Sequence, residues 1–171
     1  MAASQEVPSF DESRTKKGLD RFDDLLEALS RLRKAASAPK IDEFTLDEIV
    51  DRMITEVNAP PEITILRAGP QPCVVEGDAT LISLCVSNGL RNAVEAMQSV
   101  DRRELTITTS ADQENGVEVT ISDTGPGLPP EVAARIFHPF VTTKEKGMGI
   151  GLSICQLIIE AHGVRIWATA N

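Results

Sequence analysis

The sequence predicts an α+β protein: a two-layer sandwich in which helices cover one face of a mixed β-sheet, preceded by a short N-terminal helix. Three observations lead there. Helical and strand periodicities mix along the chain without the strict alternation that builds a parallel βαβ sheet. Two runs, Leu105 to Thr108 and Val117 to Ser122, alternate apolar and polar residues on either side of Asn115-Gly116, which is the pattern of a hairpin with one apolar face. A long helical run follows Asp78 and reaches about Met97.

With 171 residues, 42% hydrophobic and 25% charged, the chain suits one globular domain carrying an appendage. Its 26 acids and 17 bases give a formal charge of -9, a field that repels polyanions, so nucleic acid is not an expected partner. Cys73, Cys85 and Cys155 are far apart, form no CxxC pair and have only two histidines to supplement them. That argues against a zinc site and for reduced thiols in a cytoplasmic protein. No run of apolar residues is long enough to span a bilayer, and the N-terminus lacks an apolar signal core, so no direct membrane insertion is expected.

In chain order, residues 1–15 are polar and aperiodic and read as a disordered lead-in. From Lys16 to about Ala36, Phe22, Leu25, Leu29 and Leu32 alternate three and four apart, an a/d seam two heptads long. Residues up to Lys40, including Pro39, form a linker. Thr45-Leu46-Asp47-Glu48 matches a capping box and opens a helix to about Glu56. Glu62 to Leu66 and Cys73 to Val75 read as strands, and Asp78 caps the long helix. After the hairpin, a helix is expected from Pro130 to Phe137, then a Gly-rich loop, a helix from Gly151 to His162 ended by Gly163, and a last strand from Val164 to Ala168.

Three constellations bear chemistry. Asn88 and Asn92 lie four apart on one helix face, with Glu95 one turn further. Their amides either bond a neighbouring loop or serve a Mg²⁺ and phosphate site, since a carbonyl oxygen suits a hard cation that keeps water and phosphate ligands. Asp123-Thr124-Gly125-Pro126-Gly127 follows a strand. It is either a tight turn or a fixed carboxylate with a flat ligand beside the glycines, where an acceptor favours the adenine amino group and so ATP over GTP. Gly147-Met148-Gly149-Ile150-Gly151-Leu152 leads into a helix whose free N–H groups suit phosphate, although a mobile loop explains the glycines equally well. Between the last two, Phe137 and Phe140 are either core residues or anchors of a lid, and Lys144 and Lys146 either stay solvated or reach phosphates.

Taken in order, these segments resemble the ATP-binding catalytic domain of bacterial sensor histidine kinases, in the superfamily shared with gyrase, the large heat-shock chaperone and mismatch-repair ATPases. NGLRNAVEAM is similar to that family's asparagine box, DTGPGLP to its first glycine box, IFHPFVTTK to its phenylalanine box and GMGIGLSI to its second glycine box. The resemblance runs from about residue 45 onward, and HGVRIWA is similar to a closing strand region. It implies a GHKL-type (Bergerat) fold over residues 41–171, with residues 16–40 as part of a dimerisation hairpin and its linker. ATP and Mg²⁺ are the implied cofactors. Asn92 would bind Mg²⁺, Asn88 would contact phosphate or the metal's surroundings, and Asp123 would accept from adenine. Gly125 and Gly127 would shape the purine pocket, while Lys144, Gly147, Gly149, Gly151 and Leu152 would meet the phosphates.

The hydrolytic relatives place a glutamate base where Asn88 stands. A neutral imidazole needs no base to attack phosphorus, so the amide favours a kinase that transfers phosphate to histidine. Glu95 departs from the family, occupying a place where many members have a basic residue; Arg91, Lys144 or Lys146 would have to supply that charge. His138 precedes Pro139 and His162 precedes Gly163, so neither resembles the family's phosphoacceptor and the target histidine is expected in trans. The chain is also expected to stop short of the family's final strand, with weakened nucleotide affinity and stability. A histidine-bearing dimerisation domain or phosphotransfer partner, a response regulator downstream and a homodimer through the N-terminal helix are the implied partners. The alternatives are a non-catalytic nucleotide-binding module that heterodimerises with a kinase, or a serine-directed anti-sigma kinase.

Overall fold

The computed structural model describes residues 38–69, 72–112, 116–144 and 147–169, together with Lys16, Leu19, Leu26 and Ser30, which are helical. The expected lead-in, the seam residues Phe22, Leu25, Leu29 and Leu32, and Lys146 lie outside the described residues. Strand β1 (Asp42–Thr45) runs directly into helix α1 (Leu46–Val57). Strands β2 (Thr64–Ala68) and β3 (Val74–Gly77) precede helix α2 (Ala79–Ala96), which tightens into a 3-10 turn at Met97–Ser99. The hairpin β4 (Glu104–Asp112) and β5 (Gly116–Asp123), a one-turn helix α3 (Pro130–Ala133) and helix α4 (Gly151–Ala161) complete the order.

The main sheet is mixed, as expected, with strand order β2-β4-β5. β2 pairs parallel with β4 from Thr64↔Glu104 to Ala68↔Thr108, and β5 pairs antiparallel from Leu105↔Asp123 to Asp112↔Gly116. Alternation then assigns the faces. Leu105, Ile107 and Thr109 are buried beneath the helices with Val119 and Ile121 packed beside them, whereas Thr106, Thr108, Ser122 and Thr120 form the opposite face. Ile49, Val50 and Met53 of α1 and Val86, Leu90 and Ala93 of α2 close the core over that sheet. A second cluster, Leu81, Ile154 and Ile158, joins α2 to α4.

One buried carboxylate ties the layers together. Asp47 accepts from the Thr109 hydroxyl at 2.7 Å, from the Cys73 backbone N–H at 2.7 Å and from the Arg67 guanidinium. Burial pushes its pKa up, but these three donors outweigh burial and hold the carboxyl below its ordinary value. At the start of α2, Asp78 caps the helix as expected, accepting from Thr80 and Leu81 N–H, and it also takes the Lys40 N–H at 3.0 Å. His162 pins the far end of α4 to this point. Its Nε2 accepts the Asp78 N–H at 2.9 Å, so Nδ1 carries the proton and donates to the Ile158 carbonyl at 2.7 Å.

Four local expectations are corrected. Thr45 does begin α1, but its side chain makes no capping bond. Its backbone in β1 pairs with Val74 of β3, and the Leu46 N–H donates to the Cys73 carbonyl at 2.8 Å, so strand pairing fixes the start of the helix instead. The two early strands sit one or two residues later than their patterns suggest. Helix α3 stops at Ala133 and gives way to turns, because no residue in it is buried and a single turn has no packing to extend it. Val164 to Ala168 joins no strand ladder among the described residues, and Val164 and Trp167 are exposed. Alternating apolar residues make a strand only beside a partner that accepts their hydrogen bonds.

Candidate functional site

One side of α2 collects the expected residues in order. β5 ends at Asp123, whose register opposite Leu105 places it on the helix-covered face. Its Oδ1 accepts the Gly125 N–H at 2.8 Å, and a Cβ at Gly125 would come within 2.7 Å of that oxygen and 3.0 Å of the Ala96 Cβ. Only glycine leaves the turn this close to the end of α2. One turn back, the Asn92 Oδ1 accepts from the Lys144 ammonium at 2.8 Å, and the same ammonium contacts the Glu95 carboxylate. A further turn back, Asn88 is buried and donates through Nδ2 to the Gly151 carbonyl and to the Cys155 sulfur, each at 3.4 Å. From Asn88 to Ala96, eight residues at about 1.5 Å rise each make a face of about 12 Å.

The described residues between α3 and α4 reach this face through Lys144. Gly149 has φ +66° and a Cβ there would lie 2.6 Å from the Val141 carbonyl oxygen, so the loop folds back on itself only with glycine at that point. The Phe140 N–H donates to the Gly149 carbonyl at 2.9 Å. Gly147 packs beside Thr142 and Lys144, Gly151 beside Asn88, Leu152 is half-buried at the start of α4, and Gly127 stands in open space at φ +73°. Phe137 is half-buried, whereas Phe140 is 75% exposed with φ +66°, so the core alternative does not hold for Phe140.

The structure therefore brings Asp123, Gly125, Asn92, Lys144, Asn88, Gly151 and Gly149 to one side of α2. Gly127 and His138 are exposed. Of the three residues considered as a basic partner, Lys144 takes the place beside Glu95. Cys155 is a partner that the sequence reading missed, although its spacing of four from Gly151 puts both on one face of α4. Cys73, Cys85 and Cys155 are reduced thiols. A hydrogen bond with Cys155, together with burial, keeps the Cys85 proton in place and pushes its pKa far up.

No cluster of three His, Cys, Asp or Glu side chains able to hold a metal occurs among the described residues. A cation at Asn92 would rest on its carbonyl oxygen, with Glu95 nearby, and the Lys144 ammonium already shows that this oxygen suits a positive charge. A separate depression of about 400 Å³ opens at the N-terminal end of α2 between Lys40, Asp42, Phe44 and Thr80, and none of the site residues lines it. No helix among the described residues is long and apolar enough to cross a membrane.

Residues 77–171 match the family model described as histidine kinase-, DNA gyrase B- and HSP90-like ATPase, which is more than half of the chain. The chain belongs to this ATPase family. Within it, the chain is 45% identical over 102 residues to the sensor protein FixL of Bradyrhizobium diazoefficiens, covering 60% of this chain and 20% of FixL. It is 31% identical over 157 residues to the sensor histidine kinase TmoS of Ectopseudomonas mendocina, covering 87% of this chain and 16% of TmoS. The chain thus spans a fifth or less of these relatives. Among solved structures, the catalytic domain of the histidine kinase ThkA aligns with a TM-score of 0.63 at 33% identity, covering 75% of this chain and 86% of that one. Full-length ShkA, solved with AMPPNP, aligns with a TM-score of 0.70 at 25% identity over 86% of this chain and 32% of ShkA. The mixed sheet with helices on one face is the fold of these histidine kinase domains, and the chain carries an ATP-binding domain of the sensor kinase type.

Proposed function

We propose that this domain holds magnesium-ATP along α2 and directs the γ-phosphoryl group to a histidine supplied in trans, within a two-component signalling system in the cytoplasm. The observation that carries the reading is the order of groups along one helix face: a carboxylate and glycine turn at Ala96, a cation-binding amide at Asn92, and a second amide at Asn88 against the start of α4. Asp123 accepts from the adenine amino group, and Gly125 keeps the purine's approach open. Asn92 offers its carbonyl to the magnesium ion, while Asn88, Lys144, Leu152 and the N–H groups around Gly147, Gly149 and Gly151 orient the phosphates. When bound, magnesium neutralises charge on the phosphate oxygens. Asn88 provides no base, so these side chains position the phosphoryl group and do not activate water. The similarity to the sensor protein FixL and to the histidine kinases TmoS and ThkA supports the reaction class, and the AMPPNP in ShkA supports the nucleotide. On this reading the direct partner is a histidine-bearing dimerisation or phosphotransfer segment, a response regulator lies downstream, and the N-terminal helix contributes to a homodimer.

The test is to incubate the chain with labelled ATP, Mg²⁺ and a separate histidine-bearing hairpin, with Asp123→Asn as control. Acid-labile label on the hairpin is the expected result. In the control, replacing a charged acceptor should weaken nucleotide binding roughly ten- to a hundredfold, from about 1.5–3 kcal/mol for a hydrogen bond to a charged group. Binding without transfer would show a regulatory module instead, and acid-stable label on serine would show a serine kinase.

A further inference from the structure

Lys144 and Glu95 do more than line the site. The Lys144 ammonium lies on the Asn92 carbonyl, the same oxygen that the proposed function gives to the magnesium ion, and the Glu95 carboxylate holds it there from one turn further along α2. The backbone on either side keeps Lys144 turned toward α2. Its N–H donates to the Thr142 hydroxyl at 3.1 Å, and its carbonyl accepts the Gly147 N–H at 3.3 Å. The side chains of Lys144 and Glu95 are each 39% exposed, open enough to water for the pair to exchange with solvent and ligands.

We infer that Glu95 is a positioning residue that parks the Lys144 ammonium on Asn92 as a tethered substitute for the divalent cation, latching residues 138–144 across α2 until magnesium-nucleotide displaces it. The inference rests on the proposed nucleotide site and adds its regulation. Loading then moves one positive charge off Asn92 as another arrives, and the released ammonium turns to the phosphates. Glu95 thereby opposes binding in the empty protein, whereas Lys144 opposes it before loading and supports it after. An acid at position 95 is tolerable here because Lys144 covers it.

The latch predicts a combination of signs that a merely structural ion pair does not. Hydrogen exchange of residues 138–144 is measured in the nucleotide-free full chain, in Glu95→Gln, in Lys144→Met and in the double variant. Each single change should raise exchange about two- to fivefold, the range an exposed ion pair supports, and the double variant should add nothing more. Affinity for ADP with Mg²⁺, measured by titration calorimetry, should then split. Glu95→Gln should bind about two- to fivefold more tightly, and Lys144→Met more weakly. Unchanged exchange in both variants, or weaker binding in both, would overturn the latch. Failure of the unaltered chain to bind ADP or ATP would overturn the proposed site, while the exchange pattern would still decide on its own whether Lys144 and Glu95 clamp the loop.

Discussion

Asp47 on α1 and Asn92 on α2 both accept a hydrogen bond from a cationic side chain, yet they sit in opposite circumstances. Asp47 is 3% exposed and bound by donors from three separate parts of the chain: Arg67 on β2, the backbone before β3 and Thr109 on β4. Asn92 is half-buried, and its cation comes from an exposed loop. The first arrangement has no room for exchange, because both oxygens are engaged by the fold and removing any donor leaves a buried charge short of a partner. The second is open to replacement. In this molecule the same elementary contact builds the scaffold where it is sealed and stays exchangeable at the proposed site, where water reaches it.

The sharpest test of that contrast is Asp47→Ala. It leaves the Thr109 hydroxyl, the Cys73 N–H and the Arg67 guanidinium without their acceptor, and should lower unfolding free energy by about 3–5 kcal/mol in urea melts. The same hub has a pH signature. Because the folded carboxyl titrates below its ordinary value of 3.8, its stabilisation is complete above that value and is lost as pH falls through the lower folded pKa. The urea midpoint of the unaltered protein should therefore drop more steeply below about pH 4 than that of Asp47→Ala, and parallel curves would show that the hub is not the source.

A smaller effect is expected at the capped end of α2. Asp78→Ala removes the acceptor for Thr80, Leu81 and Lys40 N–H, and should reduce stability by about 1–2 kcal/mol in thermal melts while the folded spectrum is retained. Smallest of all is Phe140→Ala on the loop over the site. A side chain 75% exposed has little burial to lose, and the change in stability should stay within about 0.5 kcal/mol. A larger loss would mean that this loop packs more tightly than the comparison with Asp47 allows.

Much of this division could be read before any coordinates. The hairpin, the start of α1, the Asp78 cap and the extent of α2 follow from local signals: alternation, a capping residue and a glycine turn. The candidate site was proposed from sequence because its glycines and amides have local reasons to stand out in ordered motifs. What escaped depends on contacts between distant residues. Nothing near Asp47 announces Thr109 62 positions later, and the Thr45 box is locally complete even though strand pairing makes it unnecessary. Val164 to Ala168 has the period of a strand, but a period cannot supply a neighbour. Cys155 looks like one more apolar core residue until α4 is laid against Asn88.

The imidazole of His162 carries one last consequence. With its protonated nitrogen given to the Ile158 carbonyl and its other lone pair taken by a main-chain donor, the ring has nothing to offer an electrophile. Modifying it would leave the main-chain donor at the head of a neighbouring helix without its acceptor and prise apart the joint it fastens. The fold has made this histidine a rivet, silent as a nucleophile.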